Sequence, residues 1–143
     1  MSGSRVSAAL RRMVRERAGG CCEYCQTPED FALVPHQIDH IISEKHGGQT
    51  VAANLALSCT LCNQHKGSDV AAIDPATGEP VALYHPRCDS WSDHFRPQTA
   101  SIVALTPQGR ATVRLLQLNR PERLAERALL ITTGRFPPEV GAR

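Results

Sequence analysis

Cys22-Glu23-Tyr24-Cys25 and Cys59-Thr60-Leu61-Cys62 are two C-x-x-C knuckles with 33 residues between them. Two intervening residues let both thiolates of a knuckle reach one ion from a single turn, and two such turns complete a tetrahedral set. Thiolates select zinc over hard cations. A single knuckle is also compatible with a redox dithiol, and six cysteines in a secreted chain would read as disulfides. The paired knuckles favour zinc, held by Cys22, Cys25, Cys59 and Cys62. Cys21 could take the place of Cys22, although only Cys22 has the two-residue spacing to Cys25. Cys88 is left as a plain buried or half-buried thiol. A closed four-sulfur site has no open position for substrate, so this zinc is expected to be structural. It closes residues 22 to 62 into one loop.

Working outward, the chain has 143 residues, 41% apolar and 21% charged. Ordinary globular usage excludes wholesale disorder and collagen-like repeats. No apolar run approaches the roughly 18 residues of a membrane span, and the basic N-terminus has no apolar stretch of a secretory leader behind it. The expected location is cytoplasmic. Net charge is +2, with 16 Lys plus Arg against 14 Asp plus Glu. The charge is unevenly spread: +4 over residues 1–20, −6 over 21–83 and +4 over 84–143. An acidic centre between Arg-rich arms suits a cation-binding core held on a polyanion, because Arg forks match phosphate geometry. Solvated helix faces with internal ion pairs are the alternative.

Three segments follow. Residues 1–20 hold a basic amphipathic helix over 4–18, with Ser4 as its cap and Val6, Leu10, Met13 and Val14 on one stripe. Residues 21–74 hold the knuckles, a strand from His36 to Ile42, a Gly47-Gly48 loop, a return element over Asn54–Ser58 and a short helix from about Asn63. Residues 75–143, after a Pro- and Gly-marked boundary, form an extension. It carries strands at Val81–Tyr84 and Ser101–Leu105, a helix capped by Thr106 with Pro107 at its first position, and a final helix capped by Asn119. That last helix carries Leu124, Ala128, Leu129 and Ile131 and is expected to stop at Gly134. The fold class is α+β, with an N-terminal helix and an α/β C-terminal extension.

Inside the loop lies Ile38-Asp39-His40-Ile41-Ile42, then His46-Gly47-Gly48, Asn54-Leu55 and Asn63-x-x-Lys66. A carboxylate and an imidazole between isoleucines are costly to bury unless paired or functional. With these residues the chain resembles an HNH endonuclease of the zinc-knuckle type, within the ββα-metal (His-Me finger) nucleases. The resemblance covers roughly residues 20 to 67. Leu83-Tyr84-His85-Pro86-Arg87, Trp91-x-x-His94-Phe95 and Gly109-Arg110-Ala111-Thr112-Val113 look like the C-terminal part of one bacterial HNH subgroup.

The resemblance implies that His40 is the general base, that Asp39 and Asn63 hold a divalent cation, and that Asn54 holds the loop and orients the base. Asn63 stands where the family name has its last histidine, and Asp39 replaces the first histidine of His-His variants. Oxygen donors at both positions favour Mg²⁺ or Mn²⁺ over zinc or nickel. One geometric tension accompanies this. Adjacent strand residues face opposite ways, so Asp39 and His40 share a site only near a bent strand end.

Candidate nucleic-acid contacts are Lys66, His46, and the ridge of Arg110 and Arg114 one helical turn apart. Arg87, Trp91, His94 and Phe95 are expected to pack the extension onto the core, and His36 to be structural. The leading expectation is a metal-dependent endonuclease whose partner is nucleic acid, foremost double-stranded DNA. The alternatives are a non-catalytic zinc-ribbon-like nucleic-acid-binding module and a zinc-stabilised protein-interaction domain.

Overall fold

Ser7 starts the first helix. Its hydroxyl accepts from the Leu10 amide at 3.1 Å, capping α1 (Ala8–Arg17), and the chain leaves the helix through Ala18 and the positive-φ pair Gly19 and Gly20. The cap expected at Ser4 lies outside the described residues, which in this computed structural model are 5–139. The apolar stripe behaves as its spacing demands. Val6 and Val14 are buried and, with Leu10 and Met13, pack against Leu55, Leu57 and Ile38. Burying a side chain of this size is worth about 1.5–3 kcal/mol.

The stripe's partner is a two-stranded antiparallel sheet. β1 (Gln37–His40) pairs with β2 (Leu55–Ser58), with Gln37 opposite Ser58 and His40 opposite Leu55. β2 is wholly buried. Helix α2 (Thr60–Lys66) follows at once. It starts earlier than expected because Cys59 is its cap: the Sγ accepts from the Cys62 amide at 3.4 Å. Two strands and a helix thus occupy residues 37–66, with the first knuckle before them and the second at the start of the helix.

A second hairpin joins β3 (Ala71–Ile73) to β4 (Pro80–Ala82). The boundary expected near residue 75 falls in its turn. Beyond it come α3 (Trp91–His94), the hairpin of β5 (Phe95–Gln98) and β6 (Ser101–Ala104), α4 (Pro107–Leu116) and α5 (Pro121–Thr132). Thr106 caps α4 as expected, its hydroxyl accepting from the Gly109 amide at 2.9 Å. Helix α4 packs on α2, β3, β4 and β6. One core contains all four knuckle cysteines together with Tyr24, Tyr84, Trp91, Phe95, Ile102, Leu116, Leu118, Leu130 and Phe136. The extension therefore closes over the knuckles. The Trp91 indole N–H donates to the Tyr24 carbonyl at 2.8 Å, and Arg87 pairs with Glu23.

Helix α5 buries Arg123, Arg127 and Leu130, while Leu129 and Ile131 face outward. The two guanidiniums turn in because carbonyls and sulfurs wait for them: Arg123 donates to the Leu116 carbonyl at 2.9 Å and Arg127 to that of Ala100 at 2.6 Å. Asn119 does not cap α5. Its amide bonds the backbone N–H and C=O of Ile102, both at 2.9 Å, and Arg120 takes the cap position. Cys88 is exposed.

The β3–β4 turn is held by one carboxylate. Asp74 accepts from Arg110 Nε at 2.9 Å and Nη2 at 2.8 Å, from the Ala76 amide at 3.0 Å and from the Thr77 hydroxyl at 3.2 Å. The Arg110 hydrogen bonds, followed by those from Ala76 and Thr77, outweigh burial and hold its carboxyl well below the usual range. Because the folded pKa is depressed, the stability Asp74 contributes is complete above its ordinary value of roughly 4 and is lost as pH falls below it. Asp74→Asn is expected to lower the melting temperature at pH 7. The gap to wild type should shrink as melts are repeated from pH 4 downward.

Candidate functional site

Strand alternation sorts the residues of β1. Gln37 and Asp39 face α2; His40, the last residue of the strand, faces the following loop. Across the interface, the Asn63 amide donates to Gln37 Oε1, and one helical turn later Lys66 Nζ lies 3.4 Å from Asp39 Oδ2. The same Nζ donates to the Ile41 carbonyl at 2.9 Å and the His40 carbonyl at 3.4 Å. The Tyr24 hydroxyl, from inside the first knuckle, donates to Asp39 Oδ2 at 2.9 Å. Asp39 is only 5% exposed. Burial pushes its carboxyl above the usual range, against the opposing pull of Lys66, the Tyr24 hydrogen bond and His40. Burial likewise drives the Tyr24 hydroxyl well up, reinforced by Asp39, so it remains a donor.

Asp39 and Asn63 therefore sit on facing elements, each with one side-chain oxygen uncommitted. No hydrogen bond links the two, and Oδ1 of each accepts none among the described residues. The His40 ring turns the other way, with Nε2 2.9 Å from Thr50 Oγ1. Asn54 makes the loop possible. Its Oδ1 accepts from the Ile42 amide, and its Nδ2 donates to the carbonyls of Ile42 and Gln49, all at 2.9 Å. A Cβ on Gly48 would lie 1.7 Å from the Ile42 carbonyl oxygen, so only glycine lets the chain pass there.

The two knuckles meet. The sulfurs of Cys22, Cys25, Cys59 and Cys62 all lie within 4.8 Å of one another, and all four residues are buried. Cys21 stays outside the set. Burial drives the Cys22 and Cys62 thiols well up, while hydrogen bonds from the other three cysteines hold Cys25 down. Full ionisation of such a cluster needs a multivalent cation, and the four soft donors fit tetrahedral zinc. Arg123, 3% exposed, donates from Nη2 to Cys62 Sγ at 3.1 Å and lies 3.7 Å from Cys59 Sγ. Burial alone would lower its pKa; the Cys62, Cys25 and Cys59 sulfurs reverse this and raise it above its ordinary value.

Residues 22–69 match the protein-family model described as HNH endonuclease. Over this segment the chain is similar to an HNH endonuclease domain. The chain is also 26% identical over 126 residues to the Septu protein PtuB of Bacillus thuringiensis, covering 87% of this chain and 46% of that protein. It thus spans about half the length of this relative. No solved structure gives a significant match.

The chain spends its cations unevenly. Of the candidate nucleic-acid contacts, Lys66 is 2% exposed and committed to Asp39, and Arg110 is clamped on Asp74. His46 and Arg114 are exposed. Exposed arginines that the motifs did not single out include Arg11 and Arg12 on α1. Arg17 is not among the free ones, donating to the Ala52 carbonyl at 3.0 Å and the Leu55 carbonyl at 2.6 Å on either side of Asn54. Tyr24, Thr50, Glu44, Arg17 and Arg123 all shape the site without a sequence signal. Tyr24 alone had a hint, being inside a knuckle. No helix among the described residues is long and apolar enough to cross a membrane.

Purified protein is expected to carry zinc, measurable by atomic absorption, and Cys59→Ser is expected to lose both metal and fold. Arg123→Met should keep the fold but surrender zinc faster to a chromogenic chelator, with a stability loss of about 1.5–3 kcal/mol for the missing charged hydrogen bond.

Proposed function

We propose that this chain is a metal-dependent endonuclease that hydrolyses phosphodiester bonds of DNA, with His40 as general base, Asn54 holding the loop, and Asp39 and Asn63 as ligands of Mg²⁺ or Mn²⁺. The observation that carries it is the meeting of β1 and α2 inside a matched HNH segment. It presents the uncommitted Asp39 Oδ1 and Asn63 Oδ1 beside a strand end bearing an imidazole. Two hard oxygens fit such a cation. When bound, the ion supplies charge neutralisation at the scissile phosphate.

The chain's own residues do the rest. His40 takes a proton from water as the water oxygen bonds to phosphorus and the bond to the departing sugar oxygen breaks. Lys66 and the Tyr24 hydroxyl hold Asp39 in place. Asn54 keeps the loop from Ile42 to Gln49 in register with the strand end. Double-stranded DNA is the proposed substrate, with His46, Arg114 and the α1 arginines as phosphate contacts.

One observation favours a second reading. Lys66 already compensates Asp39, as a non-catalytic nucleic-acid-binding module would allow. Cleavage decides between them. The full chain, zinc-loaded, is expected to nick and then linearise supercoiled plasmid with Mg²⁺ or Mn²⁺ and to be inert when both are withheld. His40→Ala should lower the rate by about 10²–10⁴-fold at unchanged melting temperature. DNA binding without cleavage by the wild type would favour the binding module.

A further inference from the structure

Behind the His40 ring lies a chain of two hydrogen bonds. His40 Nε2 is 2.9 Å from Thr50 Oγ1, and the Thr50 hydroxyl donates to Glu44 Oε2 at 3.2 Å. A hydroxyl has one proton, and an ionised carboxylate can only accept. Once that proton points at Glu44, Thr50 can meet His40 only as an acceptor. His40 must then carry its ring proton on Nε2, which leaves Nδ1 bare. The reverse order would aim the Thr50 proton at Nε2 and leave its oxygen lone pairs against a carboxylate, which is repulsive. We infer that Thr50 and Glu44 are positioning residues that hold the His40 imidazole in the Nε2–H tautomer and so select Nδ1 as the proton acceptor. This rests on the nuclease reading for its consequence, though not for its geometry.

The surrounding loop is built to place this pair. Glu44 opens the 3-10 turn Glu44–His46, which ends on Gly47 at φ 96°. Thr50 follows Gln49, whose carbonyl is one of the three backbone groups held by Asn54. Asn54 is 9% exposed and itself begins the run into β2 at Leu55. The middle asparagine thus reaches His40 through Thr50, by fixing the backbone from which the hydroxyl projects. When His40 accepts a proton at Nδ1, both ring nitrogens become donors. The hydroxyl then relays the new charge toward Glu44, and such connected bonds strengthen one another.

The test uses the zinc-loaded full chain and three variants, Thr50→Val, Thr50→Ser and Glu44→Gln. Long-range ¹H–¹⁵N spectra of the histidine rings, with His40 assigned by its absence in His40→Ala, are recorded at alkaline pH where the ring is neutral. The wild type is expected to show the proton on Nε2, and Thr50→Val a mixture of tautomers. In plasmid cleavage, Thr50→Val should lower kcat by about 10- to 100-fold, as loss of an orienting partner typically does, with KM unchanged. Thr50→Ser, which keeps the hydroxyl, should recover the lost rate. Glu44→Gln, which can aim an amide N–H at Thr50, should move ring proton toward Nδ1 and lower kcat.

Wild-type protein with its proton on Nδ1 overturns the inference, as does a Thr50→Val enzyme with wild-type kcat. If Thr50→Val fails to fold, the wild-type ring spectrum still decides. If the wild type shows Nε2–H but cleaves no plasmid, the nuclease reading fails while the hydrogen-bond assignment stands.

Discussion

Four buried thiols within one coordination sphere are the constraint on which the remainder of this fold depends. Sulfur at such burial resists ionisation, and the set is satisfied by a multivalent cation with a counter-charge beside it. Arg123 supplies that counter-charge from α5, more than sixty positions along the chain. The cluster therefore joins three distant stretches: the first knuckle, the cap of α2 and the last helix. Because Cys59 is both a member of the cluster and the cap of α2, the start of that helix and the sulfur geometry are one feature. The direction of α2 across β1 follows, and with it the meeting of Asn63 and Lys66 with Gln37 and Asp39.

Arginine is used inward. Arg15 pairs with Glu29, Arg87 with Glu23 and Arg110 with Asp74, while Arg17 and Arg127 serve backbone carbonyls and Arg123 serves sulfur. In a chain with few aromatic residues these guanidiniums act as long, donor-rich struts between elements that share little apolar contact. The free edge of β2 illustrates it. The Leu55 carbonyl accepts from Arg17 and Arg87, and the Glu23 carboxylate accepts from the Leu57 amide while the Glu23 amide donates to the Leu57 carbonyl at 2.8 Å, so side chains and one main-chain amide satisfy an edge that no further strand among the described residues covers. The positive charge left for a polyanion is thereby confined to a few exposed residues, Arg114 and the outer face of α1 among them.

The site itself divides into two faces of one short strand. Asp39 is held in a buried, positively compensated environment, and His40 in a loop stitched by Asn54. Their side chains have different partners, although Lys66 reaches both the Asp39 carboxylate and the His40 carbonyl. This separation lets one residue be tuned by burial and charge while the next is tuned by a hydroxyl and a carboxylate, only one residue apart.

Much of this was legible from residue order alone. Cysteine spacing is set by the covalent chain, so the two knuckles and the four-sulfur cluster they form could be read directly. The stripe on α1, the Thr106-Pro107 start of α4 and the strand–loop–strand–helix order of residues 37–66 are local properties of the same kind. The inward turn of Arg123 and Arg127, the commitment of Lys66 and Arg110 to buried carboxylates, and the Thr50–Glu44 support of His40 could not be read that way. Each joins residues distant in sequence or lying within an irregular loop. A charged or hydroxylic side chain carries the same local signal whether it faces solvent or a partner. On α5, guanidiniums rather than Leu129 and Ile131 take the buried face, where they meet the Leu116 carbonyl and the knuckle sulfurs. Local spacing determined which elements and which ion-binding knuckles this protein has; only the three-dimensional packing decided which charges it buries and which it leaves for a ligand.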